Sequence, residues 1–448
     1  MKYKKLLAST RFRTKSQSKF SLDLANKAIL VGRRDTTLAD TAFIGKVLEQ
    51  SSTSNLLDYG VMVDIGFPHV IGIFGSRGSG KSYDLGVIIE GIFHEGRGKV
   101  RDAAVIFDIQ DQFWTLGYAP RQEFDVDQEQ LKDLDAWGIS PAALQDVKVW
   151  VPRSSDTQVA GAVPFSLSAS QLSDDDWLSI LELERYSAMG QALLTLIDQN
   201  PGATPNQLAG FCDTRGLLNN FQQSTIDGLR WRLESLGSAQ VVDSNGLAVD
   251  DLLKEGQLTV VLMRNLSEAI RGLIVGVISR LIADRMGRIQ QARKVSLRVN
   301  GTLPTESEGL TNRLWLVLDE AHVLVPSDGS TAATGPMIDY VKRGRDAGLS
   351  LIFATQQPSA VNSKLISQVD MTLTHMLGFD TDLGAAVARM PTRSTVEYEV
   401  DHTAIGSLSD VIRSLGPGEC IVADQASSRI FVAKIRPRAT AHGGATPK

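Results

Sequence analysis

Eight residues constrain this chain more than any others. Gly75-Ser76-Arg77-Gly78-Ser79-Gly80-Lys81-Ser82 satisfies the spacing G-x-x-x-x-G-K-[ST] at every required position. Glycines there let backbone N–H groups turn inward and approach phosphate oxygens without a Cβ in the way. The residues on either side agree. Val70-Ile71-Gly72-Ile73-Phe74 is a short apolar run, as expected of a strand buried on both faces, and a helix-like stretch follows through Phe93. A strand, a glycine-rich turn and a helix whose positive end faces the turn form a phosphate cradle. Lys81 is placed to reach β- and γ-phosphates, and the Ser82 hydroxyl to ligate Mg²⁺. The whole binding segment is taken as Gly75 to Tyr83.

Further apolar runs recur along the chain: Ala103–Phe107, Val147–Val151, Thr259–Met263, Trp315–Leu318, Leu351–Ala354 and Met371–Leu377. Helix-like segments separate most of them, which argues for an α/β fold with a parallel sheet. The series is interrupted between about 165 and 250 by the helix-like stretches Trp177–Leu183, Gly190–Asp198 and Asn219–Leu236. In the last, Phe221, Ile226, Leu229, Leu233 and Leu236 make one apolar stripe. Ahead of the cradle, Ala28–Gly32, Thr41–Val47 and Gly60–Ile65 read as a small β unit. The expected division is 1–66 for a basic arm plus this shortened, barrel-like unit, 67–164 for the first part of the core and 165–250 for a helical insertion. The second part of the core then spans 251–436, with a tail over 437–448.

A second acidic site narrows the chemistry. Leu314-Trp315-Leu316-Val317-Leu318-Asp319-Glu320-Ala321-His322 is an apolar strand ending in two carboxylates, 238 residues beyond Lys81 (319 − 81). Asp319 is placed to hold Mg²⁺ and Glu320 to orient and deprotonate an attacking water. A kinase acting on a small acceptor has no use for that second carboxylate, whereas a nucleotide hydrolase does. Downstream, Arg343-Gly344-Arg345 ends a helix, and the strand after it ends in Thr355-Gln356-Gln357. The amide of Gln356 is placed to sense the γ-phosphate. Arg343 or Arg345, exposed at a helix end, is placed to reach a neighbour's nucleotide. Asp108, at another strand end, is either a cap for the next turn or part of the site.

Taken together, these residues resemble the HerA–FtsK superfamily of DNA-pumping ATPases, on its HerA branch. The matching pieces are Gly75–Ser82, the Asp108 strand end, Asp319-Glu320-Ala321-His322, Arg343-Gly344-Arg345, Thr355-Gln356-Gln357-Pro358-Ser359 and Leu365-Ile366-Ser367-Gln368. Leu415-Gly416-Pro417-Gly418-Glu419 and His442-Gly443-Gly444 add to them. The resemblance covers roughly 65–444. It implies a RecA-like P-loop NTPase core, ATP and Mg²⁺, and a homo-hexameric ring around double-stranded DNA. It also implies Glu320 as catalytic base, Gln356 as sensor and Arg345 as an arginine finger acting in trans. Family members work with a nuclease or another effector in DNA end processing or anti-phage defence. The alternative reading is an ATP-loaded ring scaffold that assembles and switches a partner without processive translocation. Three features depart from the family pattern. The segment before Gly75 is short for the family's barrel, Asp346 and Ala347 replace a basic–aromatic pair, and Gln357 stands where an arginine is expected.

Composition bounds the partners. The chain has 448 residues, 43% hydrophobic and 22% charged, with a net charge of −5. That excludes a disordered chain and binding of nucleic acid over the whole surface. The first 20 residues nevertheless carry seven Lys and Arg and no acid, leaving −12 for the rest (−5 − 7). Basic sites confined to a pore or to this arm remain compatible with duplex DNA. Arg288, Arg293, Lys294 and Arg298 form a further basic cluster, which faces either DNA or solvent. Two distant cysteines, Cys212 and Cys420, and the lack of a ~20-residue apolar run predict a cytoplasmic protein with reduced thiols and no membrane partner.

Overall fold

The computed structural model describes residues 12–14, 21–33, 38–51, 56–93, 102–213, 216, 219–299, 301–302, 304, 308–391, 398–400 and 403–443. Most of the basic arm over 1–20 and the end of the tail, 444–448, lie outside them.

Eight consecutive strands of one large sheet run parallel, beginning with the short outermost strand Val163–Phe165. In spatial order the other seven are Val147–Pro152, Leu258–Leu262, Ala103–Asp108, Leu314–Leu318, Leu349–Thr355, Val70–Phe74 and Met371–Thr374. Each apolar run expected from the sequence is one of these strands, with ends differing by a few residues. Every residue of Leu314–Leu318 is buried, because helices cover both faces. Trp315 and Val317 pack in one core with Leu85, Ile88 and Ile89 of the helix Lys81–Ile92. Leu314, Leu316 and Leu318 point the other way. Their core includes the 32-residue helix Glu268–Val299 and the helix Thr334–Ala347.

The interruption is helical as expected. Asp174–Ile180, Ala188–Gln199, Pro205–Phe211 and Gln223–Ser238 bring Trp177, Leu193, Leu208 and Leu233 into that second core. The short helix Pro205–Phe211 carries a local start signal that the apolar periodicity did not reveal. The Thr204 hydroxyl and the Gln207 side chain cap each other's backbone.

Beyond Met371–Thr374 the sheet turns antiparallel as far as Gly60–Asp64, which then takes Ala28–Val31 in parallel. The hairpin Glu419–Asp424 and Arg429–Ile435 joins at Met371–Thr374, followed by Thr41–Val47, Gly60–Asp64 and Ala28–Val31. The N-terminal strands therefore continue the same sheet through the C-terminal hairpin. The chain passes closely at Gly45, where a Cβ would lie 2.2 Å from the Lys434 carbonyl oxygen.

The helix Lys81–Ile92 is buried almost all round, so its polar residues Asp84 and Glu90 are buried too and hydrogen-bonded. Two glycines fit it to its neighbours. A Cβ on Gly91 would meet the Ala42 methyl at 2.4 Å, and one on Gly86 would meet the Arg438 guanidinium at 2.7 Å.

A charged junction ties the N-terminal strands to the core. His69 Nδ1 lies 2.8 Å from Asp370 and Nε2 lies 3.2 Å from Asp64, which also pairs with Arg33. Burial alone would push the His69 imidazole down, but these two carboxylates outweigh it and raise its pKa to about 9. Because the folded value exceeds the unfolded one, this stabilisation is complete below pH ~6.5 and is lost as pH rises through about 9. The wild-type unfolding midpoint should therefore fall as pH rises from 7 to 10. His69→Gln should lower stability at pH 7 by up to about 3 kcal/mol and flatten that alkaline limb, as read by denaturant melts.

Candidate active site

Strand register sets the site. Leu318 pairs with Phe107 on one side and Phe353 on the other, and Thr355 pairs with Phe74. Asp108 closes its strand, and Asp319, Gly75 and Gln356 each follow directly on theirs, all on one edge of the sheet. This edge is where parallel α/β sheets bind ligands.

The glycine loop is anchored from below. Its Gly75 N–H donates to the Thr355 carbonyl at 3.3 Å, and its Ser76 N–H to the Met376 carbonyl at 2.8 Å. Gly78 and Gly80 adopt φ of +77° and +112°, so only glycine is free of strain there. Lys81 Nζ donates to the Ser76 carbonyl at 3.0 Å. Burial lowers the Lys81 pKa, and the charges of Glu320, Asp319 and Asp84 oppose that shift.

The Ser82 hydroxyl donates to Asp319 Oδ2 at 3.0 Å. Asp319 is fully buried, and burial together with the charge of Glu320 raises its pKa to about 6. A hydroxyl and a carboxylate in contact beside a phosphate cradle are hard oxygen donors of the kind Mg²⁺ takes. Asp108 accepts N–H groups from Gln110 (3.2 Å) and Phe113 (2.8 Å), so it caps its own loop. Burial raises its pKa to about 7, with Asp111 and Asp319 adding to the shift.

Glu320 takes left-handed backbone angles, φ +53° and ψ +52°, an uncommon conformation for a residue with a side chain. Gln356 Nε2 donates to its Oε1. Its Oε2 is buried and has no hydrogen-bond partner. The structure thus brings Glu320 and Gln356 into contact above the loop.

Arg343 and Arg345 lie elsewhere. The helix Thr334–Ala347 crosses the sheet and ends where Leu349 begins its strand, at the opposite edge. The seven-residue strand that follows, Leu349–Thr355, spans ~20 Å. Neither arginine reaches the loop of its own chain. Arg343 pairs with Asp284 at 2.8 Å, while Arg345 is exposed. Asp346 lies 3.9 Å from Lys294. The basic cluster on the long helix is not a uniform face, because Arg293 is buried and donates to the carbonyls of Thr311 (3.1 Å) and Leu310 (3.0 Å).

Motif reading missed the strap formed by residues 436–443. Glu90 Oε2 accepts from Arg436 (2.7 Å) and the Ala439 N–H (3.0 Å), and Oε1 accepts from the Thr440 N–H (2.9 Å) and hydroxyl (2.7 Å). The Tyr83 hydroxyl accepts the Arg438 N–H at 2.7 Å, and the Tyr83 ring meets His442 edge-on at 5.2 Å. The strap thereby walls a cleft of about 990 Å³ that also includes Lys81, Glu320, Gln356 and Trp137. Its one sequence signal was the His442-Gly443-Gly444 piece, of which Gly444 lies outside the described residues. Removing a buried carboxylate that serves a guanidinium leaves that charge uncompensated. Glu90→Ala should cost about 3–5 kcal/mol in urea melts.

Residues 42–282 match the family model described as the central domain of helicase HerA. The DNA double-strand break repair helicase HerA of Pyrococcus furiosus is 22% identical over 410 residues, covering 86% of this chain and 67% of that protein. The same-named protein of Sulfurisphaera tokodaii is 25% identical over 131 residues, 29% of this chain and 24% of its own length. Among solved structures, plasmid coupling protein TrwB with ADP and Mg²⁺ aligns with a TM-score of 0.51 at 16% identity, covering 83% of this chain and 86% of that one. VirB4 of Thermoanaerobacter pseudethanolicus aligns at 0.50 and 15%, covering 88% and 96%. Both share the RecA-like fold. Among the described residues no helix is long and apolar enough to cross a membrane.

Proposed function

We propose, given that this chain belongs to the HerA family and is a HerA-like ATPase of the HerA–FtsK superfamily, that it is a homo-hexameric ring that hydrolyses ATP to move double-stranded DNA. The observation that carries this reading is the placement of charge on two edges of one sheet. Lys81, Asp319, Glu320 and Gln356 share the edge with the cleft, while Arg343 and Arg345 are held at the other. An arginine that cannot serve its own loop can serve a neighbour's, so a complete site needs a second copy.

In this reading Gly75 to Tyr83 bind the nucleotide, and Ser82 and Asp319 would hold Mg²⁺, which supplies charge neutralisation on the phosphates. Lys81 exchanges the Ser76 carbonyl for phosphate oxygens. Glu320 Oε2, the unpaired oxygen, accepts a proton from the attacking water, and Gln356 follows the γ-phosphate. Arg345 comes from the adjacent subunit, because Arg343 is already paired to Asp284. A nuclease or other effector is the proposed protein partner, in DNA end processing or defence.

ATP turnover should rise on adding duplex DNA. Lys81→Ala and Glu320→Gln should each lower it by about a hundredfold or more. Turnover indifferent to DNA at every length would overturn the translocase reading.

Arg345→Ala should lower kcat by about a thousandfold while leaving nucleotide binding intact. Mixing it with Lys81→Ala subunits should restore part of the activity that each lacks alone, because one supplies the loop and the other the finger. A mixture as inactive as its components would place the finger elsewhere.

A further inference from the structure

His322 and Thr355 stand beside the reacting groups without a role so far. Thr355 is completely buried at the end of its strand. Its Oγ1 accepts the Gln357 N–H at 3.0 Å and lies 3.1 Å from His322 Nδ1. That ring nitrogen is also 3.5 Å from Glu320 Oε2, the buried carboxylate oxygen with no hydrogen-bond partner.

Two tautomers of His322 fit these distances, and hydrogen-bond satisfaction favours one of them. The Thr355 hydroxyl has one proton to donate in a fully buried site, and Nδ1 is the acceptor within its reach among the described residues, so a proton on Nδ1 would leave that hydroxyl proton unpaired. In the favoured tautomer Nδ1 carries no proton, and the neutral ring keeps its N–H on Nε2. Burial lowers the pKa of His322, and the charge of Lys81 does so too, against the opposing charge of Glu320. A ring with a bare Nδ1 cannot donate to Glu320 Oε2. A ring with its proton on Nδ1 could, and would tie up the one oxygen of Glu320 that Gln356 leaves open.

We propose that Thr355 is a positioning residue for ATP hydrolysis: it holds His322 in the tautomer that leaves Glu320 Oε2 free for the attacking water. This rests on the reading of Glu320 as the base. The arrangement also ties Glu320 to the strand that carries Gln356, so the carboxylate's open oxygen and the sensor amide are set by the same backbone.

The test is steady-state ATP turnover of the full-length protein with Mg²⁺. Thr355→Val keeps the side-chain shape and removes the hydroxyl proton. It should lower kcat about tenfold with little change in the KM for ATP, since the loop and its lysine are untouched. Thr355→Ser should retain most of the wild-type kcat. Adding His322→Phe to Thr355→Val should recover activity, because a ring without nitrogen cannot donate to Oε2. A merely structural Thr355 would give the opposite, a double variant as slow as the single or slower. Either that result or a fully active Thr355→Val would overturn the inference. Glu320→Gln in the same assay separates the two levels. If it is inactive while Thr355→Val is fully active, only this inference fails; if it is fully active, the reading of Glu320 as the base fails first.

Discussion

The structure depends on the register of its parallel strands. The pairs Phe74–Thr355 and Leu318–Phe353 lock Val70–Phe74, Leu349–Thr355 and Leu314–Leu318 together, so a glycine loop, two carboxylates and an amide meet along one edge. A one-residue slip in any of them would turn its buried faces over and carry its functional residue away. The site is therefore enforced by the core. Trp315 and Val317 pack with the helix that follows the glycine loop, while Leu316 and Leu318 pack with the helices on the other side. The same alternation that buries the strand delivers Asp319 to the loop.

That edge concentrates buried charge, and the energetics are those of a site prepared for a ligand. Asp319 and Asp108 are fully buried with raised pKa values, and Lys81 is buried with a lowered one. The left-handed backbone at Glu320 adds strain. Groups held this way cost stability in the protein alone and gain from a cation and a phosphate, which is how perturbed residues in a cleft point to function. The surrounding structure offsets the cost. The Glu90 network holds the strap against the buried helix, and the His69 junction holds the N-terminal strands to the core.

Much of this was legible in the sequence because the chemistry is local. Gly75–Ser82 must have those residue types at those spacings to wrap a phosphate, and Leu314–Leu318 must be apolar throughout to be buried on both faces. Seven of the eight parallel strands follow from the same logic. What escaped reading depends on partners far apart in the chain. Glu90 and Arg436 are 346 residues apart, and nothing near either announces the other. The hairpin of Glu419–Asp424 and Arg429–Ile435 was not foreseen as the joint between the core and the N-terminal strands, because its place in the sheet is set by tertiary pairing. Arg293 looked like one more charge in a basic cluster. Its burial is decided by where the chain over 310–311 passes, which helix periodicity does not encode. His322 and Thr355 were visible as motif letters, but their relation needed coordinates.

In the proposed ring, two edges of this sheet, one bearing the loop and the other Arg345, complete one site between two copies of the chain. Particle imaging of the purified protein with ATP and duplex DNA tests it most directly. The expected result is a six-fold ring with DNA through its centre and Arg345 of each subunit at the glycine loop of the next. A monomer under every condition, or a ring whose contacts leave Arg345 facing solvent, would contradict it.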